Sequence, residues 1–224
     1  SEDMVRYPHL NVELDRNLRT ATLRIHGPGA LGCPTTVDVV SRAGAEFWPL
    51  ALARALDDAI LHLRANEQEI GTLVFTSKGD ASAVSRYSRF LVDHQEHWLV
   101  REIVLYWKRL LKRIDVTSRT LVTQVEPGSC FAGFLSELLL VADRSYMLDG
   151  QFEGDNPPPS SVTLDAMNFG PLVMCNGLTR LATRFLGDPQ ALERLPTDIP
   201  LDAEQALEAG LVTFTPDDID WEDE

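Results

Sequence analysis

The residue best placed to do chemistry is Glu137, a lone carboxylate inside the apolar run FLSELLLVA from Phe134 to Ala142. A carboxylate is costly to bury unless it is paired or put to use. Two readings follow: a general acid or base facing a cavity, or half of an ion pair with an arginine such as Arg144 or Arg180. The preceding turn carries Gly128 and Gly133 and opens into a helix. The unpaired N–H groups at such a start can hold an anion or a developing oxyanion; a plain buried turn is the alternative. Ser129 and Ser136 lie beside the turn, but a serine nucleophile needs a basic partner, and the sequence suggests no His/Asp pair for either. His94 and His97 flank Glu96 without a matching cluster elsewhere, so no metal is expected. Lys108, Arg109, Lys112 and Arg113 form a dense basic patch, suited to phosphates or to a solvated face.

These residues need elements to hold them. Thr120 to Val125 is a β-branched, apolar run of strand length, stopped by Glu126-Pro127-Gly128. The apolar run after Gly133 suits a buried helix, and Ser145 to Leu148 resumes as a strand. Strand, turn, helix and strand make a βαβ unit with parallel strands and a right-handed crossover. Upstream, Leu10, Val12 and Leu14, then Ala21, Leu23 and Ile25, alternate as a hairpin with one buried face. A Gly/Pro-rich loop spans Gly27 to Ala45. Leu52, Leu56, Ile60 and Leu63 place an amphipathic helix over Phe47 to Ala65, and IGTLVFT from Ile70 to Thr76 reads as a central parallel strand. Ser77 to Tyr87 reads as a loop, and Asp93 to Val116 as one long helix.

The totals set bounds. With 224 residues and 44% hydrophobic content the chain can bury one sizeable core. Twenty basic against 34 acidic residues give a net charge of −14, which argues against nucleic acid or an anionic membrane as partner. No stretch reaches the ~20 apolar residues that span a bilayer. Cys33, Cys130 and Cys175 are widely spaced without a CxxC, which fits a reduced, cytoplasmic setting. The expected organisation is a linker or tail over 1–8, one domain over 9–215, and an acidic segment over 216–224 leading out of it.

The central stretch resembles the crotonase, or enoyl-CoA hydratase, superfamily. There a strand passes through a glycine-rich turn into a helix beginning Gly-Gly-Gly-Cys-Glu-Leu; this chain has Gly128, Gly133, Glu137-Leu138, Ala142-Asp143 and Tyr146 in that order. LDAEQALEAGLV, from Leu201 to Val212, is similar to the family's A-E-E-A-x-x-x-G-L-V helix and turn. The resemblance implies an α/β, crotonase-like ββα spiral and an acyl-CoA thioester as substrate, with no other cofactor. It also implies Gly133, Phe134 and Val84 as oxyanion-hole candidates and Glu137 as a catalytic carboxylate, with Asp155 the nearest candidate for a second. The departures concern chemistry. Val84-Ser85 stands where the family has Ala-Gly, two of three glycines are replaced by Phe134 and Leu135, and Asp155 is not aligned with the family's second glutamate.

The segments QVEPGSCFAGFLSELLLVADRSYMLDG and CNGLTRLATRFLG, with the proline run Pro157–Pro159 and the ending TPDDIDWEDE, resemble the C-terminal half of the benzoyl-CoA-dihydrodiol lyase family. That resemblance implies a second, degenerate crotonase-like domain of an enzyme that opens 2,3-epoxybenzoyl-CoA to 3,4-dehydroadipyl-CoA semialdehyde and formate. It further implies an N-terminal crotonase domain in the same polypeptide as partner and a homo-oligomer, with Trp48, Trp98 and Trp107 as candidate anchors. An independently active acyl-CoA hydratase or isomerase, a non-catalytic oligomerisation module, and a serine hydrolase on a related fold are the other readings.

Overall fold

The computed structural model describes residues 3–29, 32–152, 154 and 157–221. Strands β1 (Met4–Tyr7), β2 (Leu10–Asp15) and β3 (Thr20–His26) form an antiparallel meander. Met4–Tyr7 therefore corrects the expected tail: four residues were too few to show alternation, yet they pair in register from Met4↔Glu13 to Tyr7↔Leu10. A short helix, α1 (Val37–Ala43), lies within the stretch expected to be a loop. Helix α2 (Trp48–Asn66) carries Pro49 in its first turn, where the missing N–H costs nothing, and buries the expected stripe of Leu52, Leu56, Ile60 and Leu63. β4 (Thr72–Lys78) follows.

The stretch read as a loop to Tyr87 is mostly helix. Asp80 starts α3 (Ala81–Asp93), its carboxylate accepting the Ser82 N–H at 2.8 Å, and Val84, Tyr87, Phe90 and Leu91 are buried at helical spacing. The expected long helix begins only at α4 (Trp98–Asp115), beyond a turn at 94–97. The two histidines flank that turn: the His94 ring stacks on Phe90 with centroids 4.2 Å apart, and the His97 carbonyl accepts the Arg101 N–H.

β5 (Thr120–Val125) occupies the expected residues. After it, a single 3₁₀ turn at Gly133–Leu135 leads into α5 (Ser136–Leu140), shorter than the helix expected, and then β6 (Arg144–Met147). The remaining chain adds β7 (Val162–Thr163), α6 (Arg180–Arg184), α7 (Ala191–Arg194), β8 (Pro200–Leu201) and α8 (Ala203–Glu208). β7 and β8 pair antiparallel as a small second sheet. Asp202 and Gln205 close a reciprocal capping box at the start of α8.

The main sheet has the order β1-β2-β3-β4-β5-β6, with β3 to β6 mutually parallel. Its register aligns one apolar face: Val12 opposite Leu23, Leu23 opposite Phe75, and Leu73 opposite Leu121. All five are buried. The outward face, with Asn11, Glu13, Thr22 and Gln124, remains half-buried and largely polar. β6 is not left as a bare edge. Ser145 accepts the N–H groups of Thr213 and Phe214, and Phe214 accepts that of Met147, all at 3.0 Å. Tyr146 and Phe214 stack at 5.0 Å over this pairing.

Candidate functional site

The site is built at the C-terminal end of β5, where the chain enters the turn at Gly133. Gly133 has φ +52°, and a Cβ there would lie 2.2 Å from Ser88 Oγ and 2.4 Å from Asp165 Oδ2. Only glycine fits such a position, on conformation and on space alike. α3 supplies Ser88, and the capped 3₁₀ turn at Ala166–Phe169 supplies Asp165. The Phe134 N–H, which the family resemblance placed in the oxyanion hole, donates to Ser88 Oγ at 3.2 Å. The Val84 N–H donates to the Asp80 carbonyl at 3.2 Å as part of α3. Both hydrogens are thus committed within the protein.

Phe134 fills the space behind the turn. Its ring is fully buried, 4.7 Å from Trp107 and 5.6 Å from Trp48, centroid to centroid. Burying such a side chain stabilises by roughly 1.5–3 kcal/mol, and aromatic pairs add about 0.5–1.5 kcal/mol. The two tryptophans are anchored in turn, Trp107 Nε1 to the Pro49 carbonyl and Trp48 Nε1 to that of His26. Trp48 and Trp107 therefore belong to this chain's own core rather than to a contact surface; Trp98, 62% exposed, does not.

Glu137 has lost nearly all contact with water, at 1% exposure. Its Oε1 accepts Asn168 Nδ2 at 2.8 Å and its Oε2 accepts Arg180 Nη1 at 2.7 Å. Of the two arginines considered from sequence, Arg180 is the partner; Arg144 is exposed on β6. The same guanidinium grips Asp115 at the end of α4, Nε to Oδ1 at 3.0 Å and Nη2 to Oδ2 at 2.7 Å. Asn168 also donates to the Gly133 carbonyl at 3.0 Å, tying the network to the turn. Burial pushes Glu137 up to about 7; Arg180 and Asn168 pull against this, and Asp115 adds to it. Burial also raises Asp115, against the pull of Arg180. Burial outweighs the pull of the shared Arg180 at both carboxylates, so both stay high.

Asp165 is buried and raised by that burial, with Ser88 the nearest offsetting donor. Oδ1 accepts the Met167 N–H at 2.9 Å, whereas Oδ2 lies beside Ser88 without a well-aligned hydrogen bond. Ser88 Oγ accepts the Phe134 N–H. Ser136 donates to the Thr163 carbonyl and Ser129 Oγ accepts the Glu126 N–H, so both serines close local structure. Asp155, the other carboxylate considered from sequence, lies outside the described residues.

Chemically, the arrangement holds a carboxylate rigidly but offers it no approach. A cleft of about 280 Å³ touches the network on its Asp115 and Arg180 side only. Sequence reasoning missed Ser88, Asp115, Asp165 and Asn168. One local signal existed, the Asp165-x-x-Asn168 spacing that proves to be a reciprocal cap. Among the described residues no group of three or more His, Cys, Asp or Glu side chains is gathered as a metal site, and no helix is long and apolar enough to cross a membrane.

No family model matches the chain. It is 42% identical over 220 residues to the benzoyl-CoA-dihydrodiol lyase of Aromatoleum evansii, a match that spans 97% of this chain and 39% of that protein's length. Among solved structures it superposes on an enoyl-CoA hydratase of Geobacillus kaustophilus HTA426 with a TM-score of 0.62 at 16% identity, over 98% of this chain and 72% of that one. The enoyl-CoA hydratase of Bacillus anthracis gives 0.59 at 15% identity, over 96% and 73%. The fold is that of the enoyl-CoA hydratases, the crotonase fold.

Proposed function

We propose that the chain is a crotonase-fold domain of a lyase acting on an aromatic acyl-CoA, similar to benzoyl-CoA-dihydrodiol lyase, and that it serves this enzyme by packing and assembly rather than by chemistry of its own. The parent reaction expected from the resemblance is opening of 2,3-epoxybenzoyl-CoA to 3,4-dehydroadipyl-CoA semialdehyde and formate. The partner is a second crotonase domain in the same polypeptide. The 42% identity confined to 39% of the relative's length supports the placement in a longer enzyme.

One observation carries the degenerate reading: Phe134 occupies the position behind the turn while its N–H is taken by Ser88. An oxyanion hole works through donors left free for the developing charge. Losing one such donor costs about 10²–10³ in rate. Losing positioned acid–base help costs about 10²–10⁴ more, and Glu137 is held away from any ligand by Arg180 and Asn168.

The test is to purify residues 1–224, supply 2,3-epoxybenzoyl-CoA and measure formate, beside a Glu137→Ala variant. No formate above the uncatalysed rate is expected from either. Turnover that disappears with the substitution would show an active site in this domain and overturn the reading.

A further inference from the structure

We infer that the cleft at the N-terminal ends of β4 and β5 is a binding site for a phosphorylated small molecule. This cleft, about 550 Å³, lies between the ends of α2 and α4 and the segment leading into β5. It is far from the Gly133 turn, since β5 separates the two ends by roughly 20 Å at about 3.3 Å per residue. Three arginines line it, Arg64, Arg113 and Arg119, and no carboxylate does, in a chain whose net charge is −14.

The donors decide what could fit. Arg119 Nη2 donates to the Leu63 and Glu67 carbonyls at 2.6 and 2.7 Å, closing the C-terminus of α2 and fixing the guanidinium at the wall. Its Nε and Nη1 have no acceptor among the described residues. Arg113 gives Nη1 to Asp57. Arg64, exposed in the last turn of α2, has no partner among the described residues. The nearby Glu67 carboxylate is engaged by Arg16. Asp57 offsets Arg113, and Glu67, shared with Arg16, acts on Arg119, so the cleft keeps an excess of positive charge. That excess suits a phosphate group, which bears about −1.5 to −2 at neutral pH. Guanidinium donors suit phosphoryl oxygens through paired N–H groups, and Thr117 and Ser118 line the same cleft.

This site is independent of the function proposed above, and its test involves no turnover. Inorganic phosphate, pyrophosphate and adenosine 3′,5′-bisphosphate are titrated separately into the 224-residue chain by calorimetry at low ionic strength, with poly-glutamate as a fourth titrant. Saturable one-site binding of at least one phosphate probe is expected, weakened tenfold or more by Arg64→Gln and unchanged by Arg86→Gln on α3, beyond the opposite, C-terminal end of β4. Arg64→Gln should leave the ligand-free unfolding temperature unaltered, because its side chain holds no structure. Absence of saturable binding, equal weakening by both substitutions, or binding of poly-glutamate alone would each overturn the assignment.

Discussion

With both carboxylates ionised, Asp115, Arg180 and Glu137 carry one net negative charge in a buried network. Burial first, and that charge only after it, gives Glu137 a sensitive titration as a structural group. Its folded value of about 7 stands above the ordinary 4.5. The unfolded chain ionises first, so the contribution favouring folding is complete below about pH 4.5 and is lost as pH rises through 7. At 1.36 kcal/mol per pH unit the change is on the order of 3 kcal/mol. Glu137→Gln removes this titration and leaves Asp115 and Asp165 in place. Urea unfolding at pH 4.5 and pH 7.5 should therefore show the wild type losing stability relative to the variant by about that amount. Parallel stabilities at both pH values would mean that Glu137 stays charged throughout.

At the scale of elements, α3 sets the geometry around Gly133, because it brings Ser88 onto the turn. Its start depends on Asp80, whose side chain accepts the Ser82 N–H. Asp80→Ala is expected to cost about 1 kcal/mol, read as a lower urea midpoint with an unchanged slope; no loss would show that the cap is dispensable. This helix was the largest element the sequence hid. Its Ser- and Ala-rich first turn looked like a loop, although Val84, Tyr87 and Leu91 recur at helical spacing. Thr120–Val125 and the Leu10–Ile25 hairpin were legible because their patterns are local and strong. The break at 94–97 carries no glycine or proline to announce it. For the site, Glu137 stood out through its apolar surroundings, and Arg180 was within the partners considered. Asp115 and Asn168 were not, since each meets the network across at least 31 residues of chain.

For the whole molecule, the aligned apolar face of the main sheet and the aromatic group of Trp48, Trp107 and Phe134 belong to one continuous core. Three of its sheet's pairings are parallel, and parallel strands are ordinarily covered on both faces; here one face stays half-buried and polar. The far margin of that sheet is where colloidal behaviour is decided. Residues 213–216 lie along β6 and satisfy its backbone groups, with Pro216 accepting the Asp149 N–H at 2.9 Å. A chain cut after Val212 would present a row of unpaired N–H and C=O groups, a template on which further copies can add. Static light scattering of such a shortened chain should show mass growing with concentration, while the 224-residue chain shows no growth of this open-ended kind. A shortened chain of constant mass would mean that the edge needs no cover. Growth of the shortened chain would make those four residues a stopper on polymerisation, a protection that depends on hydrogen bonds already satisfied rather than on net charge.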